Sequence, residues 1–302
     1  MPKIKLQITR NLVQLVELER PTVLGRGKEA DIVLLDQLVS RVHVKLTPGD
    51  GGAVILEDLG SANGTFVNSV KVHSQLLEEG DLVEIGKTQF VFSTEKETKP
   101  GRAVDLTGAQ KLADFGEEGL IAERDVEFKF FSTEDIGLKL CALSTKMLRA
   151  QSPVKDPAVG QVEIALQEAI GNAIRHGHKY EASKIVHYRW HVHEDRVVYK
   201  VEDTGPGFDY RAAIQRGLEL DAASAARQRH AEGGLGGLGI LMMLRCVDRV
   251  EYNQSGNECT LTKFFGPPPD QRGRRSDRFP AVTPEAMSLE DTNLGGTSSS
   301  KE

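Results

Sequence analysis

Two groups of residues in this 302-residue chain have the types and spacing to do chemistry. In the second half, "EAIGNAIRHGHKY" (168–180) sets Glu168, Asn172 and His176 four apart, with Ala169, Ile170, Ala173 and Ile174 between them. On a helix these three polar residues share one face. A carboxylate there can accept a proton, and an amide oxygen can ligate a hard cation. Further on, "EDTGPGF" ends an apolar strand on Asp203 and follows it with Gly205 and Gly207. Such a carboxylate can accept a hydrogen bond from an exocyclic amine, while glycines let a flat base approach the backbone. "EGGLGGLGILMMLRCV" is then a glycine-rich loop feeding a helix, with Gly234, Gly236, Gly237 and Gly239 as candidates. Exposed N–H groups at a helix start make a place for polyphosphate. Alone, the 168–176 stripe reads as buried structural hydrogen bonding, and for His176 that reading is preferred.

The first half carries "LGRG" (24–27), "SRVH" (40–43) and "DLGSANGTFVN" (58–68). Arg26, Ser40, Arg41 and Asn63 supply two guanidinium forks, a hydroxyl and an amide, a set suited to holding a phosphate. Taken singly, the arginines read as surface charges and "NG" as a hairpin turn.

The elements that must position these residues fall into two patterns. Residues 1–93 alternate short β-rich segments ("VHVKL", "AVILEDL", "TFVN", "TQFVF") with turn signals, which predicts an all-β sandwich. Residues 94–125 read as a linker with some helix around "AQKLADF". Across 126–266, strands and helical periodicity segregate, which predicts an α+β two-layer sandwich with helices on one face of a mixed sheet. Thr133 is the expected N-cap of the first long helix. The stretch 267–302 holds five of the twelve prolines and reads as a disordered tail.

Composition narrows the function. A net charge of −6 argues against nucleic acid as the main partner. No apolar run is long enough to span a bilayer, and the N-terminus lacks the core of a signal peptide, so no membrane and a cytoplasmic location are expected. The three cysteines form no CxxC and read as reduced core thiols. "IGKT" at 85–88 mimics the end of a P-loop, but that motif needs glycine where Asp81 stands. His187, His191 and His193 alternate along a strand without an evident carboxylate partner, which suggests a surface face rather than a metal site.

In their combined order, GR, SxxH and SxNGTxVN resemble the forkhead-associated (FHA) domain over about residues 20–92. That resemblance implies a phosphothreonine-peptide reader without catalysis of its own. Arg26 and Ser40 would contact the phosphate, Arg41 would assist, Asn63 would hold the peptide backbone, and His43, Gly64 and Thr65 would brace the loops. Ala62 and Ser69 depart from the usual pattern without touching the phosphate ligands. Over about 126–265, "EAIGNAIRHG", "EDTGPGF" and "GGLGILMMLRCVDRVEY" resemble the N, DxGxG and glycine boxes of the GHKL ATPase superfamily, and within it the anti-sigma-factor serine kinases. That resemblance implies ATP and Mg²⁺ as cofactors. Asn172 would ligate the metal, Glu168 would act as general base on a serine, and Asp203 would recognise adenine in a pocket shaped by Gly205 and Gly207. Gly237 and Gly239 would line the triphosphate, with the parts of Gly234 and Gly236 left open. Residues 208–233, with Arg211, Arg216, Arg227 and Arg229, would form a lid. The implied partners are a phosphothreonine protein and a STAS-domain anti-sigma antagonist, with a sigma factor and a second copy of this chain as further candidates. Two rivals stand beside the kinase: a non-catalytic scaffold that binds ATP, and an FHA adaptor whose second domain is degenerate.

Overall fold

In the computed structural model, residues 1–9, 11–94, 98–213 and 238–267 are described. The first unit is a two-sheet sandwich. One sheet has the order β2 (Leu12–Glu17), β1 (Lys3–Gln7), β11 (Thr88–Ser93), β10 (Leu82–Ile85), β7 (Thr65–Val67), β8 (Val70–Val72). The other runs β4 (Ile32–Val33), β3 (Thr22–Gly25), β5 (Val44–Pro48), β6 (Val54–Asp58), β9 (Ser74–Leu77). The period-2 pattern decides which face is buried. In β6, Val54, Leu56 and Asp58 point inward while Ile55 and Glu57 face solvent. Ile4, Leu6, Leu24, Val44, Leu46, Phe90 and Phe92 fill the space between the sheets.

The second unit is a sheet in the order β12 (Arg102–Asp105), β13 (Asp125–Phe131), β14 (Ile185–Val192), β15 (Arg196–Asp203), β17 (Glu258–Phe264), β16 (Arg249–Tyr252). Helices α1 (Glu117–Ala122), α2 (Glu134–Gln151), α3 (Ala158–Asn172) and α4 (Leu238–Cys246) accompany it. Alternate residues of β13–β15, including Phe128, Phe130, Tyr188, Trp190, Tyr199 and Val201, pack with α2 and α3 in one core. The opposite sheet face carries ion pairs, among them Arg189 with Asp125 and Lys200 with Glu258. His187 belongs to this face and does have a carboxylate partner: its Nδ1 lies 3.2 Å from Glu127 Oε1 across the β13–β14 pair, a cross-strand neighbour that sequence spacing does not show.

Three expectations change. Within 94–125, residues 102–105 form β12, paired in parallel with β13, and Leu120 of α1 is fully buried, so this stretch is built into the second unit rather than only connecting to it. Thr133 occupies the N-cap of α2 without a side-chain capping bond. Most consequentially, the two units share a strand. β2 pairs in parallel with β16, Leu12 opposite Val250 and Gln14 opposite Tyr252, which makes one continuous 12-stranded sheet. Asn11 O accepts the Val250 N–H at 2.8 Å. Leu12 is buried in the second unit's core, whereas Val16 and Leu18 of the same segment belong to the sandwich core.

Candidate functional sites

At the loop end of the sandwich, β3 runs so close to the Ser40–Arg41 loop that a Cβ on Gly25 would lie 2.1 Å from Arg41 O. Only glycine permits that approach. It lets Arg26 N donate to Ser40 O and Gly27 N donate to Arg41 O, both at 3.0 Å. Beneath them His43 is fully buried. Its Nδ1 accepts the Ser40 N–H at 3.0 Å, so its other nitrogen, 3.2 Å from Gly64 O, is the protonated donor of a neutral ring. Burial accordingly lowers the His43 pKa.

Asp58 organises the third loop. Its carboxylate accepts from Gly60 N, Ser61 N, Ser61 Oγ and Thr65 Oγ1 at 2.6–2.9 Å. Burial pushes this carboxyl up, but the hydrogen bonds outweigh it and hold the pKa at about 2. The loops are cross-tied: Ser40 Oγ accepts the Ala62 N–H at 3.1 Å, and Asn63 Nδ2 donates to Leu38 O at 2.7 Å. Arg26, Arg41 and Asn63 are exposed and Ser40 is half-buried, so the four candidates sit on one rigid, solvent-facing loop end. Sequence reasoning passed over Asp58 and Ser61, although Asp-x-Gly-Ser is a readable side-chain turn signal. It also passed over Lys71, whose side chain lies over Gly64, with Nζ 3.0 Å from where a Cβ would stand.

The second site forms where α3, β15 and α4 meet. After Asn172 the helix widens into a π turn over Ala173–Gly177, closed by His178 N donating to Ala173 O at 2.9 Å. The wider turn breaks the four-residue stripe. Glu168 and Asn172 stay together on the buried side, while His176 turns out to solvent beside the Phe208 ring. It also carries Gly177 onto the Asp203 carboxylate, where a Cβ would sit 2.3 Å from Cγ. π turns are frequent at functional sites.

Asp203 follows Val197, Tyr199 and Val201 in the inward phase of β15, so alternation alone drives its carboxylate into the core, 6% exposed. Burial raises its pKa to about 6, against the pull of the Gly205 N–H, which donates to Oδ1 at 2.8 Å. Oδ2 has no hydrogen-bond partner among the described residues. Gly205 and Gly207 have a reason of their own. A Cβ would meet Gly177 O at 2.1 Å at the first and Ser255 O at 1.9 Å at the second, where φ is +76°. The chain's own backbone therefore demands these glycines, whatever approaches them. Next to them His178, fully buried, accepts the Thr204 N–H on Nε2 at 3.0 Å and pins the loop. Sequence reasoning weighed His176 and passed over His178.

Glu168 is half-enclosed by α4: a Cβ on Gly239 would stand 1.8 Å from Glu168 Oε1. Burial raises the Glu168 pKa, opposed by the neighbouring Arg175. Arg175 Nη2 lies 3.3 Å from Glu168 Oε2 and 3.4 Å from Asn172 Oδ1. Tyr252 stacks on Tyr210 at 4.7 Å between ring centroids. Arg211 donates to Gln14 of the sandwich strand β2. Gly234, Gly236 and Gly237, and the lid arginines Arg216, Arg227 and Arg229, lie outside the described residues.

These residues fit a magnesium nucleotide. Asp203 keeps a free acceptor, and Asn172 offers an oxygen beside a carboxylate. Among the described residues there is no group of three or more His, Cys, Asp or Glu that could hold a metal ion. Among the described residues no helix is long and apolar enough to cross a membrane.

A β-sandwich with a braced arginine–serine–asparagine loop end is joined to a helix-backed sheet that brings a carboxylate and an amide together. Residues 22–86 match the FHA domain and residues 134–263 the histidine kinase-like ATPase domain, so the chain is a fusion of these two domains. Through the ATPase segment it is 26% identical to the serine-protein kinase RsbW of Listeria innocua, over 42% of this chain and 80% of that protein. Through the FHA segment it is 46% identical to the oxoglutarate dehydrogenase inhibitor of Corynebacterium diphtheriae, over 25% of this chain and 52% of that protein. The chain spans about half or less of the length of such FHA-bearing relatives. The FHA domain of the CT664 protein from Chlamydia trachomatis aligns with 31% identity and a TM-score of 0.30, over 32% of this chain and 98% of that one.

Proposed function

We propose that the chain is an ATP-dependent serine/threonine protein kinase of the anti-sigma-factor type, with its FHA domain reading phosphothreonine on an upstream partner. The observation that carries this reading is the placement of Glu168 beside Asn172 and against Gly239 of α4, while Gly177, at the end of the same helix, packs on Asp203. Mg-ATP would supply the phosphoryl group and neutralise its charge. Asp203 Oδ2 would accept from the exocyclic amine of adenine, and Asn172 Oδ1 would hold the metal. Glu168 takes the proton of a serine or threonine hydroxyl as that oxygen bonds to the γ-phosphorus and the bond to the β-phosphate oxygen breaks. A carboxyl with a raised pKa is the better base for this transfer.

The similarity to a serine-protein kinase named RsbW supports a STAS-domain anti-sigma antagonist as substrate, with a sigma factor as a second partner. At the FHA end, Arg26, Ser40 and Arg41 hold the phosphate and Asn63 the peptide backbone, on loops that Asp58 and His43 keep fixed.

The test is phosphate transfer from Mg-ATP to candidate STAS domains. Glu168→Gln is expected to abolish transfer and leave nucleotide binding intact. Nucleotide binding with no transfer to any partner would replace the kinase with a phosphopeptide-binding scaffold.

A further inference from the structure

Arg175 has a role that neither the kinase reading nor the FHA reading assigns. A single guanidinium nitrogen, Nη2, bridges Glu168 Oε2 at 3.3 Å and Asn172 Oδ1 at 3.4 Å. These are the two oxygens that would serve as base and metal ligand. Both contacts exceed the 2.7–2.9 Å typical of a tight charged hydrogen bond, so the grip is loose. The Arg175 side chain is only 20% exposed, and its buried Nε has no hydrogen-bond partner among the described residues.

The helix is shaped to receive it. Gly171 is buried inside α3, where glycine is about 1 kcal/mol less favourable than alanine. A Cβ on Gly171 would lie 2.4 Å from Arg175 Nη1 and 2.8 Å from both Cζ and Nη2. The guanidinium thus folds back into space that a Cβ at position 171 would share.

We propose that Arg175 is a resident cation which caps Asn172 Oδ1 and Glu168 and must be displaced before a divalent metal can bind. The inference rests on the nucleotide-site reading. It makes metal loading a competition between charges of the same sign for one oxygen pair. Until the metal arrives, Arg175 occupies Glu168 Oε2, so that oxygen is unavailable to a hydroxyl.

The test is titration of a fluorescent ATP analogue at fixed nucleotide and varied Mg²⁺, with ATP calorimetry as a second measurement. Arg175→Met keeps the side-chain bulk and removes the charge. It is expected to lower the Mg²⁺ concentration at half-saturation about fivefold, the scale of one loose ion pair. Gly171→Ala, which crowds the guanidinium off its seat, is expected to shift it in the same direction and to add nothing in the Arg175→Met background. Circular dichroism melting shows that each variant is folded. Wild-type binding with unchanged Mg²⁺ half-saturation in both variants would overturn this inference alone. So would weaker nucleotide binding by Arg175→Met at every Mg²⁺ concentration, which would make Arg175 a phosphate ligand instead. No nucleotide binding by the wild type would overturn the site reading and the inference with it.

Discussion

Nucleotide affinity should fall in acid through one carboxyl, Asp203. Burial sets its pKa at about 6, and recognition of an exocyclic amine needs the ionised form, because a protonated carboxyl offers one acceptor fewer. With a pKa of about 6, the ionised fraction is about 0.9 at pH 7 and about 0.1 at pH 5. Affinity should therefore drop about tenfold across that span, approaching a slope of one decade per pH unit below it. Stability has the opposite sign for this group. Its folded-state value lies above the ordinary 3.8, so its contribution to stability is full below about pH 4 and is lost as pH rises through 6. Weaker binding at pH 5 is thus not unfolding caused by Asp203. The assay is calorimetric titration of ATP at constant ionic strength from pH 5 to 8, with far-UV circular dichroism at each pH. Asp203→Asn should lower affinity about ten- to a hundredfold at pH 7, the range for a hydrogen bond to a charged group, and abolish the pH slope. A flat profile in the wild type, or the same slope in Asp203→Asn, would refute the assignment of adenine recognition to this residue.

Two further outcomes are expected. Leu12→Ala should destabilise the protein by about 2–5 kcal/mol, as for truncation of a buried leucine. Because Leu12 lies in the ATPase core, this change should move the denaturant midpoint reported by Trp190, the sole tryptophan and itself fully buried there; an unmoved midpoint would mean that the two domains do not share β2 in solution. Arg26→Ala should cost phosphothreonine-peptide affinity about 1.5–3 kcal/mol in calorimetry while leaving ATP affinity unchanged, and retained peptide binding would remove Arg26 from the phosphate site.

Much of both sites was legible in the order of residues. Helical spacing joins Glu168 to Asn172 because both precede the π turn. Period-2 alternation through Val197, Tyr199 and Val201 fixes which face Asp203 takes. The Asp58–Gly60–Ser61 turn is likewise local geometry, readable from residue type. Other features were not legible, since they depend on partners distant in sequence. The π turn that expels His176 is a register choice made by packing Gly177 against Asp203, 26 residues away. His178 acquires its role from Thr204, and His187 its partner from Glu127 on the neighbouring strand.

The sequence by itself determined two domains, their fold classes and the residue types of each site, because periodicity, turn chemistry and motif order are local properties of the chain. Tertiary structure alone decided that β2 serves both domains, that Gly205 and Gly207 yield to Gly177 O and Ser255 O, and that Arg175 sits between Glu168 and Asn172. A strand's second edge, the clearance around a Cα and the position of a long flexible cation are settled only when distant segments compete for the same space.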